Sequence, residues 1–203
     1  MIRQAKLSDL ESIAQVHTEC FPDSFSTALG KRLLTKFYYE YISKIPELFL
    51  VSQDQGNSIN GFCMGYYMEN DHYMKSFIKH NLVSVAFMML FRLITLDKRA
   101  WKKIKKKSTP DWEILNHEYD DIPNDLRIDL LSICVLKKYR GHGIANQLID
   151  EYQKVVARQE RKLCMLSVDV KNARGIHFYE KHGFKLYREA PGVARTYYKI
   201  VEE

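Results

Sequence analysis

The last third of the chain limits its fold more than any other part. Residues 127–136, RIDLLSICVL, form an apolar run with strand chemistry, and an amphipathic stretch over 142–158 follows. LCMLSVDV at 163–170 is again strand-like, a second helical stretch covers 172–182, and FKLYREA with ARTYYKIV close the chain as an antiparallel pair. Strands that alternate with helices require a sheet with helices packed on it, so the expected class is α/β.

The first half is compatible with that class. Residues 2–6 read as a short strand, and Ser8 followed by Glu11 has the spacing of a capping box. A helix with Leu10, Ile13, Ala14 and Val16 on one face should then run to about Cys20, where Phe21-Pro22-Asp23 breaks it. A second helix is expected over Leu29 to Ser43 with Leu33, Leu34, Phe37 and Tyr41 inward. LFLVSQ (48–53) and INGFCMGYYME (59–69) flank the polar turn 54–58 as a hairpin.

Residues 71–126 break the rhythm. LVSVAFMMLFRLITL (82–96) is apolar but shorter than the roughly twenty residues of a membrane span, and Arg92 interrupts it. DKRAWKKIKKK (97–107) is densely basic. The expectation is a buried helix followed by a solvated basic one. The alternative is peripheral contact of 82–107 with an anionic bilayer, or framing of a phosphate-bearing substrate.

A length of 203 residues suits one domain, 1–203, with 71–126 as a basic helical insertion. The net charge of +6 favours anionic partners without choosing among them. The four cysteines form neither a CxxC nor a Cys/His cluster, and His177 and His182 are poorly spaced for a shared ion, so no metal and no disulfide is expected. MIRQAKLSDL lacks the apolar core of a signal peptide, which gives a cytoplasmic, reduced protein as the expectation. Nucleic acid is not expected: only the 98–107 run speaks for it, and Trp101 alone is no stacking platform.

The chemistry concentrates in Arg140-Gly141-His142-Gly143-Ile144-Ala145, between strand and helix. A Walker loop would need GxxxxGK[ST], which is absent, and a dinucleotide fingerprint fails because its last glycine is Asn146. Small side chains here bare successive backbone amides at a helix start, where the helix dipole adds to their partial positive charge. A pyrophosphate carries the complementary charge. A plain capping turn is the competing reading of these six residues.

Two motifs together decide between them. Arg140-x-x-Gly143-x-Ala145 resembles the [QR]xxGx[GA] acyl-CoA loop of the GNAT (GCN5-related N-acetyltransferase) superfamily. DVKNARGIHFYEKHGF (169–184) resembles that superfamily's next motif, NxxAxxxYxKxGF, with Asn172, Ile176, Phe178, Tyr179, Lys181, Gly183 and Phe184 in register and Gly175 in place of alanine.

The resemblance implies a mixed, mostly antiparallel central sheet of six to seven strands with helices on both faces. It also implies splayed strands 4 and 5 and a helical insertion between strands 3 and 4. It implies acetyl-CoA as cofactor and direct acetyl transfer to a primary amine. In that scheme the backbone of Ile133, Cys134 and Val135 holds the pantetheine arm, and an Ile133 or Cys134 amide serves the oxyanion. Arg140, Gly141, His142, Gly143, Ile144, Ala145 and Asn172 complete the cofactor site, although His142 could equally face water. Tyr179 protonates the leaving thiolate, and Asp129 is the first candidate base, ahead of His117 and the acidic run 118–121. Cys134 reads as a small buried strand residue rather than an acyl carrier.

The acceptor is expected to be a small-molecule amine. CFPDSFSTALGKRLL (20–34) and the insertion look similar to transferases of surface-polysaccharide assembly, which implies an amino sugar. A peptide or protein amine and a polyamine stay open, as does a homodimer. The competing class is a non-catalytic acyl-CoA-binding module.

Overall fold

The computed structural model describes residues 1–68, 73–95, 113–115, 123–159 and 163–201. Eight strands form one sheet in the order β1-β2-β3-β5-β6-β8-β7-β4. They are β1 Ile2–Gln4, β2 Phe49–Gln53, β3 Ile59–Tyr67, β4 Glu113–Ile114, β5 Arg127–Val135, β6 Leu163–Asp169, β7 Lys185–Ala190 and β8 Ala194–Ile200. Among the described residues only the β5–β6 pairing is parallel. The sheet exceeds the six to seven strands expected by β4. These two residues inside the 71–126 insertion pair with β7 at the far edge, so the splayed strands of the family become β5 and β6 here.

Helices cover both faces. α1 Leu10–Cys20, the short α2 Phe25–Ala28 and α3 Lys31–Lys44 lie on one face, where Tyr38 packs edge-on against Phe49 and Phe62. α6 Ile144–Arg158 and α7 Ala173–Lys181 lie on the other, beyond α4 Tyr73–His80 and α5 Leu82–Ile94 in chain order. Lys199 on β8 reaches both of those helix segments, donating to Gln153 Oε1 and to the His182 carbonyl at 2.8 Å each. β3 shows how the faces are sorted: Phe62 meets α3, whereas a Cβ at Gly61 would touch Leu148 of α6.

Local chemistry departs from expectation ahead of α1. The N-cap position is Asp9 rather than Ser8, and its carboxylate makes no cap bond to α1; it accepts from the Lys6 amide at 2.8 Å and from both terminal nitrogens of Arg3 at 2.7 and 2.9 Å, closing the 3-10 turn Leu7–Asp9. Arg3 and the amide together hold the Asp9 carboxyl below the usual range. The helix expected over 29–43 is α3, and Gly30 at φ 88° separates it from the short α2 that precedes it.

α5 is not the buried helix expected. It touches the body along Val85, Met88 and Met89, and Arg92 Nε donates to the Ala28 carbonyl at 2.9 Å. Val83, Phe87 and Ile94, at helical spacing, point outward and are 82%, 69% and 71% exposed. The basic run 97–107 and the acidic run with His117 lie outside the described residues. Among the described residues no helix is long and apolar enough to cross a membrane.

The end of α1 is fixed by His17, which is 8% exposed. Its Nδ1 lies 2.5 Å from Tyr38 Oη and its Nε2 lies 3.2 Å from Ser24 Oγ. Burial pulls the imidazole from 6.5 to about 4. Between those values the unfolded chain binds a proton that the folded chain refuses, so stability falls as pH drops through that window. The loss from this group should be about 2 kcal/mol by pH 5 and about 3 kcal/mol below pH 4. Urea titrations from pH 7 to 4.5 should therefore show a shallower decline for His17→Gln than for the wild type. Parallel curves would exclude His17 as the cause.

Candidate active site

The site is a gap in the sheet. β5 and β6 pair only over Arg127–Asp129 against Leu163–Met165; beyond that, β5 stays with β3 and β6 with β8. The cause is visible in the β3–β5 register, where Gly65 faces Leu130 but Met64 faces Ser132, leaving Leu131 as an extra residue. A bulge bends and twists its strand, which turns the second half of β5 away from β6.

The register also fixes which amides face the gap. The Leu136 amide donates to Asn60 at 2.9 Å, so Leu136 and Asn60 are a hydrogen-bonded pair. Antiparallel alternation then gives Cys134 to Phe62 and turns the amides of Ile133 and Val135 toward the side that β6 has left. The Val135 carbonyl agrees with this direction, accepting from Arg140 Nε at 2.9 Å.

Above the gap lies the glycine loop. A 3-10 turn over Lys137–Tyr139 leads to Gly141 at φ 86° and Gly143 at φ 74°, a region costly for any residue with a Cβ. Gly143 is the N-cap of α6 and offers no side-chain partner, so the first amides of that helix stay open. A Cβ at either glycine would meet nothing within 4 Å; it is conformation, not crowding, that calls for glycine here. Tyr139 ties the loop to the β2–β3 turn by donating to Asp54 Oδ2 at 2.8 Å. The other oxygen of Asp54 accepts from the amides of Gly56 and Ser58 at 3.0 and 2.9 Å.

α7 forms the opposite wall. Asn172 caps it, its Oδ1 accepting from the Gly175 amide at 2.9 Å. An alanine at 175 would place its Cβ 2.5 Å from that capping amide group, a local reason for glycine in the motif. Tyr179 packs edge-on against Phe178 and Phe184, with centroids 5.4 and 5.8 Å apart. Burial pushes its phenol well above the ordinary range, so it keeps its proton at any working pH.

These walls enclose a cleft of about 520 Å3. It is lined by Ile133, Cys134 and Val135 of β5, by Arg140, Gly141, Gly143, Ile144 and Ala145 of the loop, and by Asn172 and Tyr179 of α7. Ten of the twelve residues singled out from the sequence are thus brought together. His142 is not, because its Nδ1 turns back to the carbonyls of Tyr139 and Arg140 at 3.3 and 3.1 Å. Asp129 is not either: half-buried where β5 and β6 are still paired, its Oδ2 accepts from Tyr66 Oη at 3.1 Å. Seven residues not singled out for the site, Cys20 and Phe21 at the end of α1, Tyr139 and Asn146 around the glycine loop, and Arg174, Gly175 and Phe178 of α7, complete the lining. Nothing local marks Cys20 or Phe21, since their place depends on how α1 crosses β5.

Comparison with known proteins bears on this geometry. The profile described as acetyltransferase (GNAT) domain matches residues 113–186, which include β5, the glycine loop, α6, β6 and α7. Residues 113–186 are a GNAT domain. N-alpha-acetyltransferase 60 of Danio rerio is 31% identical to the chain over 112 residues, a match that takes in 53% of the chain and 42% of that protein. The alignment thus spans less than half of the relative. Among solved structures, SsHAT superposes on the whole chain and 98% of its own with a TM-score of 0.67 at 15% identity. Chaetomium thermophilum Naa20, in complex with a bisubstrate analogue, superposes on the whole chain and 85% of its own at 0.54 and 17% identity. At such identities the structures report the fold alone, and both superpositions take in the whole chain.

Proposed function

We propose that this protein is an N-acyltransferase carrying an acetyl group from acetyl-CoA directly to a primary amine. The observation that carries the reading is the gap itself: the amides of Ile133 and Val135 and the open start of α6 line one cleft. Its volume falls within the roughly 300–1,000 Å3 of small-molecule sites. Residues and cofactor fit chemically, because unhindered loop amides at a helix N-terminus, with Arg140 beside them, suit a diphosphate.

Bound acetyl-CoA would supply the acyl group as a thioester, already activated toward an amine. The chain's own groups have separate duties. The start of α6 and Arg140 hold the diphosphate, and Val135 holds an amide of the pantetheine arm. The Ile133 amide would donate to the thioester carbonyl, the duty expected of either Ile133 or Cys134; the alternation of the ladder favours Ile133. Tyr179 donates from Oη to the departing sulfur. Its raised pKa favours a hydrogen bond to that sulfur over full proton transfer. Cys134 stays a thiol, since burial pushes it up, and this supports direct transfer over an acyl-cysteine. Asp129 accepts the amine's proton through water, as its place beyond the cleft lining requires.

For the acceptor, the name of the Danio rerio relative favours a peptide α-amine over an amino sugar. The test is calorimetry with acetyl-CoA, then thiol release with peptides, amino sugars and polyamines. An enzyme binds the cofactor and releases thiol when a suitable amine is present. Binding without release across all amines would make the protein a cofactor-binding module, and no heat with any coenzyme A species would end the proposal. In the same assay Asp129→Asn should lower turnover at neutral pH by about tenfold or more. Unchanged turnover would remove Asp129 from the mechanism.

A further inference from the structure

We infer that Cys20 is a site of covalent S-thiolation, where a low-molecular-weight disulfide entering the cleft is captured as a mixed disulfide, with Cys134 and Arg140 as the groups that prepare the thiol. Nothing in the transfer mechanism uses Cys20.

The four cysteines divide sharply. Cys63, Cys134 and Cys164 are buried, and burial pushes all three thiols upward. Cys20 is half-buried at the last position of α1 and lines the cleft, so it alone combines access with a confined space for an incoming molecule. Cys134 and Arg140 line the same cleft, from β5 and from the glycine loop. From within that cleft Cys134 and then the Arg140 guanidinium favour the thiolate of Cys20 over its thiol. Of the two sulfurs the more exposed one gives up its proton first. The Cys134 contact and then Arg140 pull Cys20 down to about 7, whereas Cys134 stays protonated. An accessible thiol of lowered pKa beside a second cysteine is the arrangement found at sites of reversible oxidation.

The step balances without a further reagent. The Cys20 thiolate attacks one sulfur of the disulfide, and a bond forms between Cys20 Sγ and that sulfur as the original S–S bond breaks. The electron pair leaves on the second sulfur, which takes a proton from water. Cys20 is oxidised and half of the small disulfide is reduced to a thiol. At pH 7 the thiolate fraction exceeds that of an ordinary cysteine, and weaker intrinsic nucleophilicity returns only part of this, so the net rate should be higher than that of an unperturbed cysteine. An adduct on Cys20 would fill the space beside Val135 and Arg140. That it would also exclude acetyl-CoA rests on the proposed function; the modification itself does not.

The experiment uses the full chain, fully reduced, with excess glutathione disulfide in one arm and coenzyme A disulfide in the other, read by intact mass and peptide mapping after an acid quench. The expected result is one adduct, on Cys20, reversed by reductant, with a rate that rises with pH about a midpoint near 7. Cys20→Ser should take up none. Cys134→Ala, which removes the donor, should move the midpoint toward the ordinary thiol value of about 8.5. Faster reaction with the coenzyme A disulfide, slowed by acetyl-CoA, supports both this inference and the cofactor reading. Equal rates in the two arms, unaffected by acetyl-CoA, support thiolation and count against the cofactor reading. No adduct on Cys20, or a wild-type midpoint at the ordinary thiol value, overturns the inference.

Discussion

Gly65→Ala should cost about 3 kcal/mol or more of stability, although it adds one carbon. That carbon would lie 1.7 Å from Tyr152 Oη, 2.4 Å from the Asp129 carbonyl and 2.8 Å from Tyr152 Cζ. None of these atoms can give way cheaply. Asp129 is backbone in the middle of the sheet, and Tyr152 is fully buried in α6, its hydroxyl pointing at the Asp129 carbonyl 3.4 Å away. Relief requires α6 to retreat from β3 or Tyr152 to leave its rotamer, and either uncovers core. Urea unfolding would register the change as a lower midpoint with little change in slope. Adding Tyr152→Phe removes the closest contact but leaves the ring carbon, so the double variant should recover only part of the loss, and the two effects should not add. A Gly65→Ala chain within about 1 kcal/mol of wild type would show that α6 is not seated as described. Because α6 begins at the glycine loop, the variant should also bind acetyl-CoA more weakly.

Tyr179→Phe should leave stability and acetyl-CoA affinity nearly unchanged while lowering turnover about 10- to 100-fold. The ring contacts with Phe178 and Phe184 survive the substitution, so only the hydroxyl is tested. A group that acts on the leaving sulfur matters in the transition state and not in the bound complex, so the effect belongs in kcat rather than KM. The raised phenol adds a second expectation. A donor that keeps its proton gives no alkaline decline of its own, so the wild-type rate should not fall below about pH 10 on account of Tyr179. Unchanged turnover in the phenylalanine variant would assign Tyr179 to packing alone.

What could be read from the sequence was what short stretches determine by themselves. The alternation over 127–201 and the glycine loop depend on residues within a few positions of one another, and both stand in the structure. Long-range pairings were not legible. Leu131 looks like any strand residue; it is extra only because Gly65 and Met64 fall where they do on β3. Which of Ile133 and Cys134 offers its amide depends on the same register. Cys20 and Phe21 reach the cleft through the crossing of α1, and β4 through an edge many residues away. The apolar content of α5 suggested burial, but composition does not say how many sides of a helix have a neighbour. Asp9 rather than Ser8 stands at the start of α1, and its carboxylate turns back to Arg3 and the Lys6 amide, partners outside that helix.

The β3–β5 ladder has one more implication. Tyr67 and Ile128 face each other at its end, on neighbouring antiparallel strands, so everything between them is, topologically, the tip of a hairpin. Closing such a tip costs entropy that grows only with the logarithm of its length, and a tight turn could in principle stand in for the whole excursion. The debt would fall elsewhere: without Glu113 and Ile114, β7 becomes a bare rim, open to whatever strand comes near.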